Sequence, residues 1–313
     1  MSPLLLINYH YLRPRDAHPY PGIHPIAPAE LDAQIALLKL QLHAATPAEI
    51  EAWAAGDDGL PGPAFFLTFD DGLAEHHDVA PAVLARHGIK AVFFINSRPL
   101  TDRRVVSVHK VHWLRAETEP ERFRDEFLSH LPPDGRAAVE SRGNDAAAVD
   151  TNQYDPPAVA RLKYAINFLL PYDQVDAATS AMLRERGIDE AAFCARFYMS
   201  AAQIKAVADA GHVIGSHGHT HRPLSRIADA DADVAANLDC LEDITGVRPD
   251  WLSYPWGSDW SIPDDAEGLC RRHGFRLAIT LKRAWNVGGE PACRLNRINT
   301  NEVDAMLRQR PAA

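Results

Sequence analysis

The chain has 313 residues, 46% hydrophobic and 24% charged, which suits one large globular domain or one domain carrying an insertion. A formal net charge of −10 argues against a nucleic-acid footprint, which needs a basic face to neutralise phosphates, so nucleic acid is not expected as a partner. No apolar run reaches the roughly 18 to 20 residues of a membrane span, and the four cysteines, Cys194, Cys240, Cys270 and Cys293, make no CxxC pair; a zinc ribbon and a redox motif are both excluded, and reduced thiols are expected.

Taken in chain order, Leu4-Leu5-Leu6-Ile7 is too short for a signal-peptide core and is broken at once by Asn8, Tyr9 and His10. It reads as a buried strand, and a cytoplasmic location is the expectation. Leu31, Ile35, Leu38 and Leu42 recur at helical spacing, which predicts a helix over about 29–43 with one face on a sheet. Further short apolar runs bounded by turn signals predict strands at 65–69, 91–96, 213–215, 251–254 and 277–280, besides the first at 4–8. Ser200 and Gln203 have capping-box spacing and Gly211 a C-terminal stop, so a helix delivers the chain into Val213. Strands alternating with amphipathic segments define an α/β protein.

Residues 98–199 break this rhythm, with Pro and Gly breaks and helical stretches such as 160–170, and read as a mainly helical insertion. Within it 132–155 is polar and poor in large apolar residues, which predicts a mobile loop. The barrel-forming parts are then 1–97 and 200–313, with the insertion placed to act as a lid.

The sharpest local signal is Thr68-Phe69-Asp70-Asp71-Gly72, an apolar strand ending in two carboxylates and a glycine. Two acids at a buried strand end need a cation or a hydrogen-bond network to compensate them, and a metal is the economical choice; a surface turn is the plainer alternative. The second signal is Ser216-His217-Gly218-His219-Thr220-His221. His217 and His221 are four apart, so a helical turn would set both imidazoles on one side to bind one divalent ion, with His219 pointing elsewhere. With Asp71 they make a His, His, carboxylate set that leaves room for water, the composition of an open catalytic site.

At these residues the sequence resembles the polysaccharide deacetylases of carbohydrate esterase family 4, the NodB-homology fold. The pieces fall in the family's order: Thr68 to Gly72, His217 to His221 followed by Pro223-Leu224, and Tyr254-Pro255-Trp256-Gly257, with Asn8-Tyr9-His10-Tyr11 and then Gln34 and Leu37 as a lead-in. The resemblance implies a deformed (β/α)7 barrel with its site at the C-terminal ends of the strands. It also implies metal-dependent hydrolysis of an N-acetyl group on an amino sugar. Carried over by residue, Asp70 is the base, Asp71, His217 and His221 the metal ligands, and the Trp256 backbone N–H an oxyanion donor. The ion is expected to be Zn2+, with Co2+, Ni2+ or Fe2+ fitting the same ligands.

Two departures stand out. The family's arginine two residues before the motif proline is Ser253 here, so Asp70 must be oriented by something else, and no histidine follows Trp285 to fill the family's C-terminal Leu-x-His. His10 is the first choice for the missing acid and His109 the second, with His112 beside it. Trp113, Trp256, Trp260 and Trp285 are candidates for stacking on a sugar ring as well as for the core, and Asp259-Trp260 is read as loop. A lid the size of the insertion points to a small or nucleotide-linked N-acyl amino sugar. The competing readings are an amidase or deformylase acting on another N-acyl compound, and a catalytically inactive carbohydrate-binding homologue. The sequence does not fix the oligomeric state.

Overall fold

The computed structural model describes residues 1–14, 25–57, 59–141 and 156–311. Among these the chain forms two compact units, one made of the residues up to Arg103 and from Cys194 onward, the other of Arg104–Phe193. The second unit is narrower at both ends than the 98–199 read from the sequence.

The first unit is built on parallel strands: β1 (Leu4–Tyr9), β2 (His43–Ala44), β3 (Ala64–Phe69), β4 (Ala91–Ile95), β5 (Val213–Ser216), β6 (Trp251–Ser253), β7 (Leu277–Ile279) and β8 (Ile298–Asn299). Their order is β7-β6-β5-β4-β3-β1-β8, with β2 beside β3. Leu295 bridges Ile279 in parallel just before β8 joins β1, so the sheet curls back toward its own far edge. This is the deformed parallel barrel that the sequence resemblance implies. All six predicted strands are found; β2 and β8, two residues each, were not anticipated. The helix expected over 29–43 runs Pro28–Gln41, because His43 leaves it to donate its backbone N–H to Pro63 O at 2.9 Å as β2 begins.

Near-continuous apolar strands suit a parallel sheet buried on both faces, and every residue of β1, β3 and β4 is buried. Side chains alternate between two cores. Leu5, Ile7, Phe65, Leu67, Phe69 and Phe93 pack with the helices Pro28–Gln41, Ala80–His87 and Ala201–Asp209. Leu4, Leu6, Phe66, Phe94, Trp251 and Leu277 gather on the other face with Trp53. Gly215 is required there, since a Cβ on it would lie 2.4 Å from Phe94 Cδ1. The register pairs Tyr9 with Phe69, Ile95 with Ser216, and Ser253 with Ile279. Residues 10, 70, 96, 217 and 254 therefore leave the sheet along one C-terminal edge.

The helix Ala201–Asp209 starts at the capping box that Ser200 and Gln203 form, as expected, and delivers His212 into the core. There Nδ1 lies 3.3 Å from Ala91 N and the ring meets Phe93 edge-on. Burial, and secondarily Lys90, lowers the His212 pKa from 6.5 to about 4. Between pH 6.5 and 4 the unfolded chain takes a proton that the folded one refuses, so stability falls as pH drops through that window. His76, also held at about 4 by burial, adds to the same slope. Urea midpoints measured from pH 7 to pH 4 are expected to decline, and to decline less steeply in His212→Gln.

The second unit is helical, comprising Ser107–Ala116, Pro120–Ser129, Pro133–Glu140, Pro157–Tyr164, Tyr172–Glu185 and most of Glu190–Phe197. Leu114, Phe123, Phe127 and Met182 form its core. Lys110, fully buried, is held by Asp176 at 2.7 Å, Ser180 at 2.7 Å and Glu190 at 3.0 Å, so its charge is paired and its donors are satisfied. The loop expected over 132–155 is in part a helix, Pro133–Glu140, because Pro133 opens a turn that buries Val139 in this core. The remainder, 142–155, lies outside the described residues.

Candidate active site

β3 ends at Phe69, and the chain turns sharply through Asp71 at φ +81° and Gly72 at φ +67°. A Cβ on Gly72 would come 2.9 Å from Ile95 Cγ2, so both φ and space demand glycine there. The turn leaves Asp70 and Asp71 2% and 3% exposed, facing different partners.

Asp71 faces the histidines. Its Oδ1 lies 3.5 Å from His217 Nε2 and 3.2 Å from His221 Nε2, and the three ligand atoms fall within 4.8 Å of one another. His217 Nδ1 bonds the Ser253 carbonyl at 2.7 Å and must therefore carry the proton. Burial first, with His221 adding to it, holds the His217 pKa at about 4, so the ring is neutral near pH 7. A neutral Nε2 then presents a lone pair to Asp71 Oδ1 and, at 3.9 Å, to Asp70 Oδ2. Acceptors crowded in this way repel unless a cation sits among them, which is the fit expected of a divalent metal site.

The two histidines are not on a helical turn, as their spacing had suggested. Residues 217–223 are irregular, and the rings meet at 5.0 Å because Gly218 and His221 take left-handed φ of +69° and +58°. His219 points away as expected, with Nδ1 3.0 Å from Ser97 Oγ and Nε2 3.4 Å from Asp102.

Asp70 faces an arginine that sequence reasoning missed. Arg297, 1% exposed, donates Nη1 to Asp70 Oδ1 and Nη2 to Oδ2, both at 2.8 Å. Its remaining N–H groups bond Thr68 Oγ1 at 3.0 Å, Ser253 Oγ at 2.8 Å and Thr280 O at 3.2 Å. Ser253 Oγ also donates to Asp70 Oδ2 at 3.2 Å. Burial works against ionisation of Asp70, but the charges of Arg297 and His217 and the Arg297 hydrogen bonds outweigh it, and its carboxyl stays below the usual range. The arginine absent at position 253 is thus supplied by the segment after Leu295. Leu295-Asn296-Arg297 has the spacing of the Leu-x-His looked for in the sequence, and that was the available signal.

His10 follows β1 at the edge of this cluster, its side chain 38% exposed and Nε2 3.9 Å from Asp71 Oδ2, while its carbonyl meets His76 Nε2 at 2.6 Å. His109 belongs to the helical unit, buried in Ser107–Ala116 with His112 6.2 Å away. Trp256 and Trp260 lie 5.7 Å apart, Trp256 being 6.0 Å from His221. Asp259-Trp260 opens a short 3-10 turn. Trp285 is core, bonded to Met306 O, and Trp113 packs edge-on to Phe193 in the helical unit. Among the described residues four non-glycines have positive φ, and Asp71, His221 and Trp256 are three of them. Each such residue costs roughly 1 to 2 kcal/mol, and strain of this kind collects at functional sites.

The polysaccharide deacetylase family model matches residues 165–278, which takes in His217, His221 and Trp256. A peptidoglycan deacetylase of Helicobacter pylori is 33% identical over 81 residues, 25% of this chain and 27% of that protein, so the match spans about a quarter of the relative's length. IcaB from Ammonifex degensii superposes with a TM-score of 0.60 at 18% identity, covering 100% of this chain and 98% of its own. The Streptococcus pyogenes deacetylase PplD, solved in complex with acetate, does so with a TM-score of 0.58 at 14% identity, covering 99% of each. At those identities the two structures speak for the fold.

Proposed function

We propose, on the premise that this chain is a relative of the polysaccharide deacetylases, that it is a metal-dependent hydrolase removing the N-acetyl group of an amino sugar. The observation that carries the reading is the division of labour between adjacent carboxylates: Asp71 turned to two imidazoles, Asp70 locked by an arginine fork. Asp71, His217 and His221 would hold one divalent ion, Zn2+ being the first choice for this donor set. When bound, the ion polarises the amide carbonyl and acidifies a water. Asp70, kept ionised by Arg297, takes the proton from the attacking water. The Trp256 backbone N–H is assigned to the developing oxyanion. His10, half exposed beside Asp71, gives the proton that the leaving amine needs, and His109, in the other unit, is second in line.

The finer part of the proposal is the substrate: a small or nucleotide-linked N-acetylhexosamine, argued from the length of chain inserted between β4 and β5. The curated relative is named for a polymer, so the test includes both. Metal content and acetate release are measured with N-acetyl sugars, UDP-linked sugars, chitooligosaccharides and peptidoglycan, for wild type, His10→Gln and His217→Ala. The expected result is about one metal per chain, acetate from the small sugars, little metal in His217→Ala, and full metal with slowed turnover in His10→Gln. Acetate from the polymers alone refutes the size assignment. Formate released from the N-formyl counterparts of the same sugars, with no acetate from any substrate, would make the protein a deformylase, and metal without any release from either series would make it a binding protein.

A further inference from the structure

The loop His217-Gly218-His219-Thr220-His221 carries two of the three assigned ligands and passes through two left-handed residues, so its shape must come from what holds it. Asp233, 7% exposed in the first turns of the helix Ala230–Thr245, does most of this. Its Oδ2 accepts from the backbone N–H of His219 at 2.8 Å. Its Oδ1 accepts from the Thr220 N–H at 3.1 Å and the Thr220 hydroxyl at 2.6 Å. Gly218 admits this approach, since a Cβ on it would lie 2.8 Å from Asp233 Oδ2. Asn96 completes the support by donating Nδ2 to the Gly218 carbonyl at 3.2 Å and to that of His217. Asn237 accepts from Ser216 Oγ at 2.7 Å where the loop leaves β5.

We propose that Asp233 is a positioning residue for the metal site: it fixes the ligand loop in its left-handed path before the ion arrives, and thereby sets metal affinity through the backbone of the loop. A loop ordered in advance loses less conformational freedom when it binds, and the difference appears as affinity. Partners that orient ligands from behind are worth roughly 10- to 100-fold in metal affinity. A carboxylate suits the task because all three groups it meets are donors; an amide in its place would turn an NH2 toward one of them. The inference rests on the assignment of Asp71, His217 and His221 as ligands.

The test is Co2+ affinity, read by chelator competition and by the visible absorption of the bound ion, together with thermal unfolding of the metal-free protein, for wild type, Asp233→Asn and Thr220→Val. The expected result is a 10- to 100-fold loss of affinity in Asp233→Asn, with an altered Co2+ spectrum and only a modest fall in metal-free unfolding temperature, the cost of one mismatched donor. Thr220→Val, which removes one donor and no charge, should show a smaller loss in the same direction. Unchanged affinity in both variants, or a loss that only tracks a fall in metal-free unfolding temperature, overturns the proposal. Should Asp233→Asn not fold, Thr220→Val decides alone: wild-type affinity in it refutes the role. Wild-type protein that binds no Co2+ refutes the ligand assignment itself, and the inference falls with it.

Discussion

Arg297→Met is expected to destabilise the protein by about 3 to 5 kcal/mol, the cost of leaving a buried carboxylate without its partner. Asp70 is 2% exposed, so water cannot take the place of the fork, and Ser253 Oγ supplies one weak bond at 3.2 Å where two at 2.8 Å are lost. The chain can escape part of the cost by protonating Asp70, and an uncharged Asp70 is no base; kcat should fall even in molecules that remain folded. Arg297→Lys keeps the charge but not the planar fork, and should recover part of the stability and less of the rate. Guanidinium unfolding and steady-state kinetics on the three proteins check this. Wild-type stability and kcat in Arg297→Met would show the ion pair to be dispensable.

Asp70→Asn is expected to lower kcat by roughly 10²- to 10⁴-fold, the range that a positioned general base contributes, while leaving the metal in place. The ligand atoms proposed above are those of Asp71, His217 and His221, and the Asp70 carboxylate is committed to Arg297 and Ser253, so its loss should not open the site. An asparagine keeps the shape, but its NH2 group faces an Arg297 N–H that needs an acceptor, so some stability is lost as well. The variant Asp70→Asn/Arg297→Met removes both charges together, and its stability should be greater than the sum of the single losses predicts, by about 0.5 to 3 kcal/mol. Metal analysis and kcat for Asp70→Asn, with unfolding of all three variants, make the check. Full activity in Asp70→Asn would remove it from the chemistry, and loss of the metal would mean that it is a ligand.

What was legible in the sequence was whatever is local. The strands β1, β3, β4, β5, β6 and β7 announce themselves as apolar runs because both faces of a curled parallel sheet are buried, and the motif residues sit one step past their ends. β2 and β8 are two residues long and carry no such run. The cluster of Asp71, His217 and His221 was legible because two short motifs each follow a strand. The path between the histidines was not, since a spacing of four fits a helical turn and an irregular loop equally, and Gly218 was the one hint. Arg297 is hard to read for a different reason: its one signal is the spacing after Leu295, where a histidine is the residue looked for, and its meaning exists only once the Leu295 segment pairs beside β7 and β8 beside β1.

That separation bears on how the protein comes into being. Asp70 and Arg297 are 227 positions apart, which at typical rates of synthesis is on the order of 10 to 50 seconds on the ribosome. Throughout that interval the strand bearing Asp70 has no guanidinium to close on, and burying its carboxylate is unfavourable. The emerging β1, β3 and β4 can collapse on their apolar faces, yet the edge that carries the acids should stay open to water until the Leu295–Arg297 segment is delivered. The ion pair therefore acts as a late lock on folding, and a chain truncated before Arg297 should be far more prone to aggregation and proteolysis than the small number of missing residues would suggest.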